Sequence, residues 1–348
     1  MWENMSIYKN NVDISVIIPV YNNDNNDILR CINSICYSKN INYEVIIIDD
    51  GSNLVTAAFL DSLTDKFQNI NVIHQKNKGV SAARNYGVQQ ANGNYVTFVD
   101  ADDFLTSYFF DDFFRLHSDL GDDVDIYYGL LSVLKNTKLP SEANIRHEKI
   151  LYRKMNQEDK NKLFKHMIDL SDPTFKRTDG YIGRGSVAKI IKKEMLIKCP
   201  FPNNLRIGED VIWNLELLKQ NPSCVIVNSL WYYYKYNPNS ATHLFTVRMV
   251  KDIEVFLIKL QTYIDENLMV NYLNREIELI LMIKRAAYEK GYKQFYTSRI
   301  VNLIPWNFAL KWKYGIHLNN KMLLKFLLLK IGVFDFIYEY YRLIKAKL

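Results

Sequence analysis

The sequence predicts an α/β fold in which a mostly parallel central sheet is flanked by helices, and three observations carry this prediction. Short runs rich in β-branched residues alternate with segments of helical spacing, which is typical of parallel strands joined by crossover helices. The 348-residue chain is 48% hydrophobic, which is enough for a sizeable core. Acidic side chains follow two of the predicted strands directly, and ligands bind at that edge of such sheets.

Four strands are predicted in the first hundred residues, each a short apolar run that would be buried on both faces. These runs are ISVIIPV (14–20), YEVIIID (43–49), INVIH (70–74) and YVTFVD (95–100). Between them, apolar side chains recur at helical spacing at Ile28, Cys31, Ile32 and Ile35, and again at Ala57, Leu60, Leu63 and Phe67. The repeated order of strand and helix predicts the parallel sheet.

Cysteine content and charge exclude several classes of protein. The four cysteines have neither the density of a disulfide scaffold nor the C-x-x-C spacing of a zinc site, so we expect a reducing, cytoplasmic location. No leader-like N-terminus is visible, and no uncharged apolar run reaches the ~18 to 20 residues of a membrane span. The net charge of the chain is +6, and its positive charge is concentrated near the C-terminus. Residues 284–348 contain 13 basic and 3 acidic side chains.

The predicted strand ends carry polar motifs that indicate a nucleotide site. PVYN follows the first strand, DDGS the second and DADD the fourth. The dinucleotide motif G-x-G-x-x-G and the P-loop motif are both missing, so a bound diphosphate would need another source of positive charge. Carboxylate oxygens at a strand end suit Mg²⁺ or Mn²⁺, which bridge phosphate oxygens. We therefore expect a divalent cation at DADD.

Four motifs in this order resemble the family 2 glycosyltransferases of the GT-A fold. They are SVIIPVYN, EVIIIDDGS, NKGVSAARNYGVQQANGNYVTFVDADDF and GED, and the resemblance covers residues 13–236. It implies an inverting transferase that takes a sugar from a UDP-sugar with the help of Mn²⁺ or Mg²⁺. It also implies synthesis of a bacterial capsule, O-antigen or exopolysaccharide, with a lipid-linked glycan as the acceptor.

The resemblance assigns a donor-binding role to residues in the first three motifs. Asp50 is expected to accept a hydrogen bond from the uracil ring, while Asp49 supports its turn. Asp100 is expected near the ribose, Asp102 as the direct metal ligand and Asp103 as a residue that shapes the turn. Asp100 and Asp102 would face the same side if the strand stayed extended. The further nucleotide-contacting residues implied are Pro19, Val20, Tyr21, Gly79, Arg84 and Asn85.

The GED motif supplies the candidate for a catalytic base, which inverting transfer needs to remove the acceptor hydroxyl proton. By resemblance Asp210 is that base and Glu209 lies beside it, at the start of a predicted helix. Two acids that merely complement a helix dipole are the alternative. Upstream, Val187 stands where the family usually has a Trp, two positions before Lys189, in a segment that contributes to acceptor binding.

A later segment, WYYYKYNPNSATH, resembles the family's closing loop. Ser240 and Thr242 match its hydroxyl positions and are expected near the diphosphate. His243 is a candidate replacement for the histidine that the family often has at the position of Asn237, either as a metal ligand or as a surface residue. The acidic pairs at 111–112 and 122–123 lack a preceding strand, so we interpret them as solvated charges.

The sequence predicts a catalytic domain over residues 1–243, with its nucleotide-binding part at about 13–130 and its acceptor-side part at about 131–243. A helical, basic module follows over 244–348. Leu323, Leu327 and Phe334 form a helical stripe near the C-terminus, with lysines between the apolar runs. This pattern predicts attachment to an anionic membrane surface, peripherally on the inner face of the cell membrane, or an ordinary packed helix.

Two other functions stay open at this stage. A metal-dependent nucleotidyltransferase would also use carboxylates at the edge of an α/β sheet. A non-catalytic adaptor on the membrane surface would use the basic C-terminal part with a degenerate nucleotide fold. Nucleic acid binding is not expected, because the basic part has no recognised motif and the remainder of the chain is net acidic.

Overall fold

The computed structural model describes residues 13–36, 42–134, 150–170, 172–176, 180–236, 246–291, 320 and 323–325. These residues fall into two compact units. The first contains the residues up to Asn161 together with Phe175–Asn204 and Glu209–Tyr236, and the second contains the remainder. The predicted boundary at residue 243 falls in a stretch outside the described residues, so it stays a prediction.

A nine-stranded sheet forms the centre of the first unit. Its order is β3-β2-β1-β4-β8-β6-β9-β5, and β7 pairs with β9. β1 to β4 pair in parallel, whereas β8 runs antiparallel to both β4 and β6. The strands are β1 (Ile14–Val20), β2 (Tyr43–Asp49), β3 (Ile70–His74), β4 (Tyr95–Phe98), β5 (Phe104–Leu105), β6 (Ile126–Leu134), β7 (Tyr152–Lys154), β8 (Lys189–Lys192) and β9 (Cys224–Lys235).

Helices separate the parallel strands as the apolar spacing predicted. The four predicted positions in the first helix, from Ile28 to Ile35, are all buried against the sheet core. The helices are α1 (Asn25–Cys36), α2 (Leu54–Thr64), α3 (Val80–Gln90), α4 (Phe109–Leu120), α5 (Gln157–Ile168), α6 (Lys193–Lys198), α7 (Glu209–Lys219), α8 (Val247–Gln261) and α9 (Met269–Glu289). Two 3₁₀ turns lie at Gly121–Asp123 and Glu266–Leu268.

The described part of the second unit is mainly helical. Asp169 accepts hydrogen bonds from the side chains of Asn271 and Asn274 on α9, at 3.1 and 2.8 Å. The guanidinium of Arg275 lies 5.3 Å from the centre of the Phe256 ring on α8. Polar and cation–π contacts therefore join α9 to its neighbours within this unit. Over the described ranges, no helix has both the length and the apolarity that a bilayer crossing requires.

One prediction about charge is wrong. Asp112 was expected to be a solvated charge, but it is buried on α4 and its Oδ2 accepts hydrogen bonds from Ser229 Oγ at 2.6 Å and Trp231 Nε1 at 3.1 Å. Both donors lie on β9, so the carboxylate links this helix to the sheet. The neighbouring Asp111 and the pair at Asp122 and Asp123 are exposed, as expected.

Candidate functional site

Three predicted strand ends lie side by side because β1 pairs in parallel with both β2 and β4. Val20 is opposite Asp49 in the register, and the Asp50 N–H donates to Val20 O at 2.8 Å. Of the three residues expected to line a base, Tyr21 is exposed, Pro19 is half-buried and Val20 is buried. The carboxyl ends of these strands therefore share one edge, which is where we look for a ligand.

Asp49 opens the turn after β2, which we call the β2 turn (residues 49–52). Its Oδ1 accepts from the Ser52 N–H at 2.9 Å, and its Oδ2 contacts His74 Nδ1 at 2.7 Å. Burial opposes ionisation of Asp49, but the hydrogen bonds from Ser52 and His74 outweigh it and lower the pKa of the carboxyl. Asp49 thus supports the turn geometrically.

Asp50 is buried in the same turn and is bonded to the loop that precedes α3. Its Oδ1 accepts from Gln75 Nε2 at 2.7 Å and the Lys78 N–H at 2.8 Å, and its Oδ2 accepts from the Gly79 N–H at 2.8 Å. Gly79 has a φ of +90°, a conformation that favours glycine. The contact with a uracil ring stays a prediction, and it would use the remaining acceptor capacity of Oδ2.

Arg84 lies buried on α3 and joins two acidic motifs. Its Nη2 pairs with Asp100 Oδ1 at 2.9 Å, and its Nη1 lies 3.5 Å from Glu209 Oε1. Its guanidinium also lies 5.3 Å from the centre of the Phe201 ring. Burial opposes the charge of Arg84, but the two carboxylates outweigh it and raise the pKa. Arg84 therefore connects DADD to GED, a link that the sequence did not reveal.

Asn85, the neighbour of Arg84, is bonded to the loop that follows α6. Its Nδ2 donates to Phe201 O at 2.9 Å and its Oδ1 accepts from the Phe201 N–H at 2.8 Å. A further bond runs from Nδ2 to Asn203 Oδ1 at 3.2 Å. These bonds tie α3 to the loop after α6, and the contact between Asn85 and a nucleotide stays a prediction, for which Oδ1 keeps one acceptor position.

The argument that Asp100 and Asp102 face one side of an extended strand is wrong. β4 ends at Phe98, and the Asp103 N–H donates to Asp100 O at 3.0 Å, which closes a turn. We call it the β4 turn (residues 100–103). Asp100 nevertheless acts electrostatically on both of the other carboxyls, raising the pKa of each. The three acids are neighbours because of the turn and not because of strand alternation.

Asp103 is fully buried and connects the β4 turn to β9. Its Oδ2 accepts from the Tyr232 hydroxyl and its Oδ1 from the Lys235 N–H, both at 2.7 Å. Burial, followed by the charge of Asp100, raises the pKa of Asp103 to about 8. This agrees with the predicted role of Asp103 in shaping the turn.

Asp102 differs from its neighbours because no other described residue donates a hydrogen bond or an ion pair to its carboxyl, and its backbone donor is its own N–H. The nearby cations are held by Asp27, which contacts Lys235 Nζ and Arg30 Nη2, each at 2.7 Å. Burial and the charge of Asp100 raise the pKa of Asp102. A half-buried carboxylate in this state would be stabilised by a bound cation.

Asp102 fits a divalent cation that completes its coordination from a substrate. In the part of the chain that the structure describes, no three His, Cys, Asp or Glu side chains cluster as a self-contained metal site. Mg²⁺ and similar cations are often held by one or two carboxylates together with substrate phosphates. The donor set here, one carboxylate beside a sheet edge suited to a nucleotide, matches that arrangement.

Glu209 and Asp210 begin α7, directly after Gly208, whose φ is +75°. Burial and the nearby Asp210 raise the pKa of Glu209 to about 7, in opposition to Arg84. Asp210 is half-buried, and its Oδ1 accepts from the Val211 N–H at 2.8 Å. The predicted helix is confirmed, and the two acids have different partners.

Lys189, which the family resemblance marks only as the lysine of the acceptor-side segment, has a buried position that the sequence did not predict. Its side chain is buried, and Nζ donates to the carbonyl oxygens of Gly183, Gly185 and, at 3.5 Å, Val187. Burial lowers the pKa of Lys189 to about 7, while Asp210 acts in the opposite direction. A lysine in a β-strand sequence gives no local sign of such a position.

Ser240, Thr242 and His243 lie outside the described residues, so their roles stay predictions.

Comparison with known proteins finds matches among glycosyltransferases. Residues 15–173 match the family model described as Glycosyl transferase family 2. Glycosyltransferase GlyG of Streptococcus pneumoniae serotype 4 is 26% identical over 287 residues, covering 81% of this chain and 88% of GlyG. Glycosyltransferase GlyA of the same organism is 40% identical over 92 residues, which are 26% of this chain. The chain spans only 13% of the length of GlyA.

Among solved structures, the fold is similar to that of S. aureus TarS 1-349 in complex with UDP-GlcNAc. The TM-score is 0.62 at 15% sequence identity, and the alignment covers 95% of this chain and 91% of that one. TarS has the GT-A fold, so the predicted fold class is confirmed. The resemblance of the four motifs to family 2 is confirmed as well.

Proposed function

We propose that the chain, whose residues 15–173 match the Glycosyl transferase family 2 model, is an inverting glycosyltransferase using a UDP-sugar as donor and a glycan hydroxyl as acceptor. The observation that carries the proposal is the pairing of Arg84 with both Asp100 and Glu209. This pairing places the acidic motif expected to bind the donor next to the acidic motif expected to activate the acceptor. Transfer between two substrates needs these groups together.

The donor would lie at the shared edge of β1, β2 and β4. The exposed ring of Tyr21 is available to the base, and Asp50 holds the loop from Gln75 to Gly79 in place. The UDP-GlcNAc complex of TarS, which has the same fold, supports a UDP-sugar as donor. Asp102 would hold Mn²⁺ or Mg²⁺, which when bound neutralises charge on the leaving diphosphate.

Asp210 is a better candidate for the base than Glu209 because the two acids differ in their pairing. Glu209 is paired with Arg84, whose Nη1 lies 3.5 Å from its Oε1. Asp210 has no cation within ion-pair distance among the described residues, and only its Oδ1 has a backbone donor. Its Oδ2 can accept the proton of a hydroxyl group that attacks the anomeric carbon. Attack from the side opposite the leaving diphosphate inverts that carbon.

The acceptor is proposed to be a lipid-linked glycan in the synthesis of a bacterial surface polysaccharide. The basic C-terminal part would hold the enzyme on the inner face of the cell membrane, where such acceptors are found. Residues 320–348 lie almost entirely outside the described residues, so this proposal rests on their sequence. Sedimentation of the full chain with anionic vesicles at low salt tests it. Unbound full-length protein, or binding that survives deletion of residues 320–348, would contradict it.

A donor screen tests the proposed activity. UDP release from a panel of UDP-sugars is measured with and without Mn²⁺, in parallel with diphosphate release from nucleoside triphosphates. We expect UDP release from a UDP-sugar, faster with Mn²⁺ than without it, and no diphosphate release from the triphosphates. Diphosphate release from a triphosphate would instead indicate a nucleotidyltransferase. Absence of turnover with every donor would contradict the proposal.

Asp210→Asn tests the base within the same screen. We expect UDP-sugar binding to be retained and transfer to fall by about 10² to 10⁴, the usual contribution of a general base. Glu209→Gln is the matched comparison, and it should have the smaller effect on transfer if Asp210 is the base. The assignment is wrong if Asp210→Asn turns over like the wild type.

A further inference from the structure

Gly185 lies next to the candidate base Asp210, and as a glycine it places no side chain beside that carboxyl. A Cβ added at Gly185 would meet Asp210 Oδ2 at 3.6 Å, and within the described part of the chain no other residue beyond its chain neighbours comes within 4 Å of it. Gly185 is half-buried and its φ lies outside the left-handed region, so nothing in the backbone there requires glycine. Among the described residues, the position next to Asp210 Oδ2 is therefore unfilled because residue 185 has no side chain.

This space borders the oxygen of Asp210 that is not used by α7. Oδ1 accepts from the Val211 N–H, whereas no donor to Oδ2 lies within hydrogen-bonding distance among the residues described. Any side chain at 185 would stand between Oδ2 and a molecule that approaches over the loop. The geometry thus links the absence of a side chain at Gly185 to the free oxygen at Asp210.

Two buried side chains keep the loop around Gly185 in this position. Lys189 Nζ donates to the carbonyl oxygens of Gly183 and Gly185. Asn214 Nδ2 donates to Gly185 O at 3.1 Å and to Asp210 O at 2.8 Å. One amide group therefore bonds to both the loop and the residue that carries the candidate base. The distance between Gly185 and Asp210 is set by this shared contact and not by chance proximity in a flexible loop.

We propose that Gly185 is a specificity-determining residue, at which the bare backbone lets the acceptor hydroxyl reach Asp210 Oδ2. The proposal rests on the proposed function, in which Asp210 is the base. It adds that the size of residue 185 limits the size of the acceptor. A water molecule can pass a small side chain at this position, whereas a hydroxyl carried by a sugar ring cannot approach without displacing it.

Gly185→Ala and Gly185→Val test this inference in order of side-chain size. The donor is the UDP-sugar identified in the screen, and the acceptors are water, methanol and octyl β-glucoside. We expect UDP binding and the melting temperature to stay close to the wild type, since the added Cβ meets only ordinary contact. Transfer should fall increasingly along the acceptor series, reaching about 10- to 100-fold for octyl β-glucoside in Gly185→Ala. The loss should be greater in Gly185→Val.

Gly121→Ala is the control for a glycine replacement that only affects stability. A Cβ at Gly121, unlike one at Gly185, meets no described atom within 4 Å, but the φ of +66° makes alanine strained there. This variant should lower the melting temperature and leave the ratio of transfer to hydrolysis unchanged. A fall in that ratio equal to the one in Gly185→Ala would assign the effect to stability and overturn the inference.

The outcomes separate this inference from the proposed function. Loss of turnover in Asp210→Asn together with equal losses for all three acceptors, or none, in Gly185→Ala overturns only the role of Gly185. If the wild type does not use octyl β-glucoside, the comparison between water and methanol decides. Full turnover in Asp210→Asn overturns Asp210 as the base and with it the role of Gly185, while the proposed transferase activity stands, and a donor screen without any turnover overturns both the activity and the role of Gly185.

Discussion

The β2 turn and the β4 turn are similar in sequence but differ in how their carboxylates are satisfied. In the β2 turn, Asp49 and Asp50 both accept hydrogen bonds from backbone N–H groups, and the pKa of Asp49 is lowered. In the β4 turn, burial raises the pKa of both Asp102 and Asp103. Neighbouring backbone therefore stabilises the charges of the first turn, whereas the second contains Asp102, whose carboxyl has only its own N–H as a donor among the described residues.

The difference follows from which segments run beside each turn. The loop from Gln75 to Gly79 passes the β2 turn and directs N–H groups at Asp50. In the β4 turn, Arg84 on α3 donates to Asp100, and the donors from β9 bind the carboxyl of Asp103. A carboxylate bonded to donors from several other residues has a structural role, whereas one bonded only to its own N–H keeps acceptor positions for a ligand. Similar acidic motifs can thus have opposite uses.

The largest expected effect comes from Asp102→Asn. We expect the metal-dependent affinity for UDP to fall by at least about 100-fold, because the direct ligand of the cation loses its charge. The fold should not become less stable, since burial disfavours the charge of Asp102. Calorimetric titration with UDP in the presence and absence of Mn²⁺ measures the first effect, and urea unfolding the second. Asp65→Asn, at an exposed helix end, is the control. Wild-type affinity in Asp102→Asn would refute the metal assignment.

A second test compares neighbours within the β4 turn. Asp103→Ala should reduce the free energy of unfolding by about 2 to 5 kcal/mol, because the Tyr232 hydroxyl and the Lys235 N–H lose their acceptor in a buried place. Asp102→Ala, one residue away, should cost little. Urea unfolding of both variants measures the difference. Similar losses of unfolding free energy in the two variants would mean that Asp103 is not more important for the fold than Asp102.

The β2 turn is tested by Asp50→Asn. We expect a loss of about 1 to 3 kcal/mol in unfolding free energy. Lys78 and Gly79 donate to different oxygens of Asp50, and the NH₂ group that replaces one of these oxygens cannot accept a hydrogen bond. Hydrogen exchange at the Gly79 amide should become faster. Asp65→Asn again controls for the loss of a charge. If Asp50→Asn is as stable as that control and Gly79 stays protected, the turn is not held by this carboxylate.

The smallest effect concerns pH and His74. The hydrogen bonds to Asp49 and Asp61 raise the pKa of His74 above 6.5. The protonated form is thus favoured in the folded state, so its contribution is complete below pH 6.5 and lost as the pH rises through the raised value. The difference in unfolding free energy between His74→Gln and the wild type should therefore become smaller as the pH rises through this window. The change should be less than about 1 kcal/mol, because the side chain is exposed. Urea unfolding below and above this pH window measures the change. A difference between the two proteins that does not vary with pH would exclude a contribution from the pairing of His74 with Asp49 and Asp61.

The sequence by itself determined the strands, the helices between them and the acidic turns at the strand ends. β1 to β3 have the predicted bounds, because the alternation of short apolar runs with helical spacing is a local pattern. The family resemblance added the candidate base, since GED lies at the start of α7 as expected. These features need only the residues next to them in the chain.

Only the tertiary structure decided how the acidic side chains are used. Arg84 pairs with Glu209, and Asn85 bonds to Phe201 across 116 residues. No local pattern records such partners, because hydrogen bonds and charge pairs are made between side chains that the fold brings together. The same holds for Asp112, whose two donors lie on β9. The pKa of a carboxylate depends on burial and on these distant partners, so it follows from the packed structure.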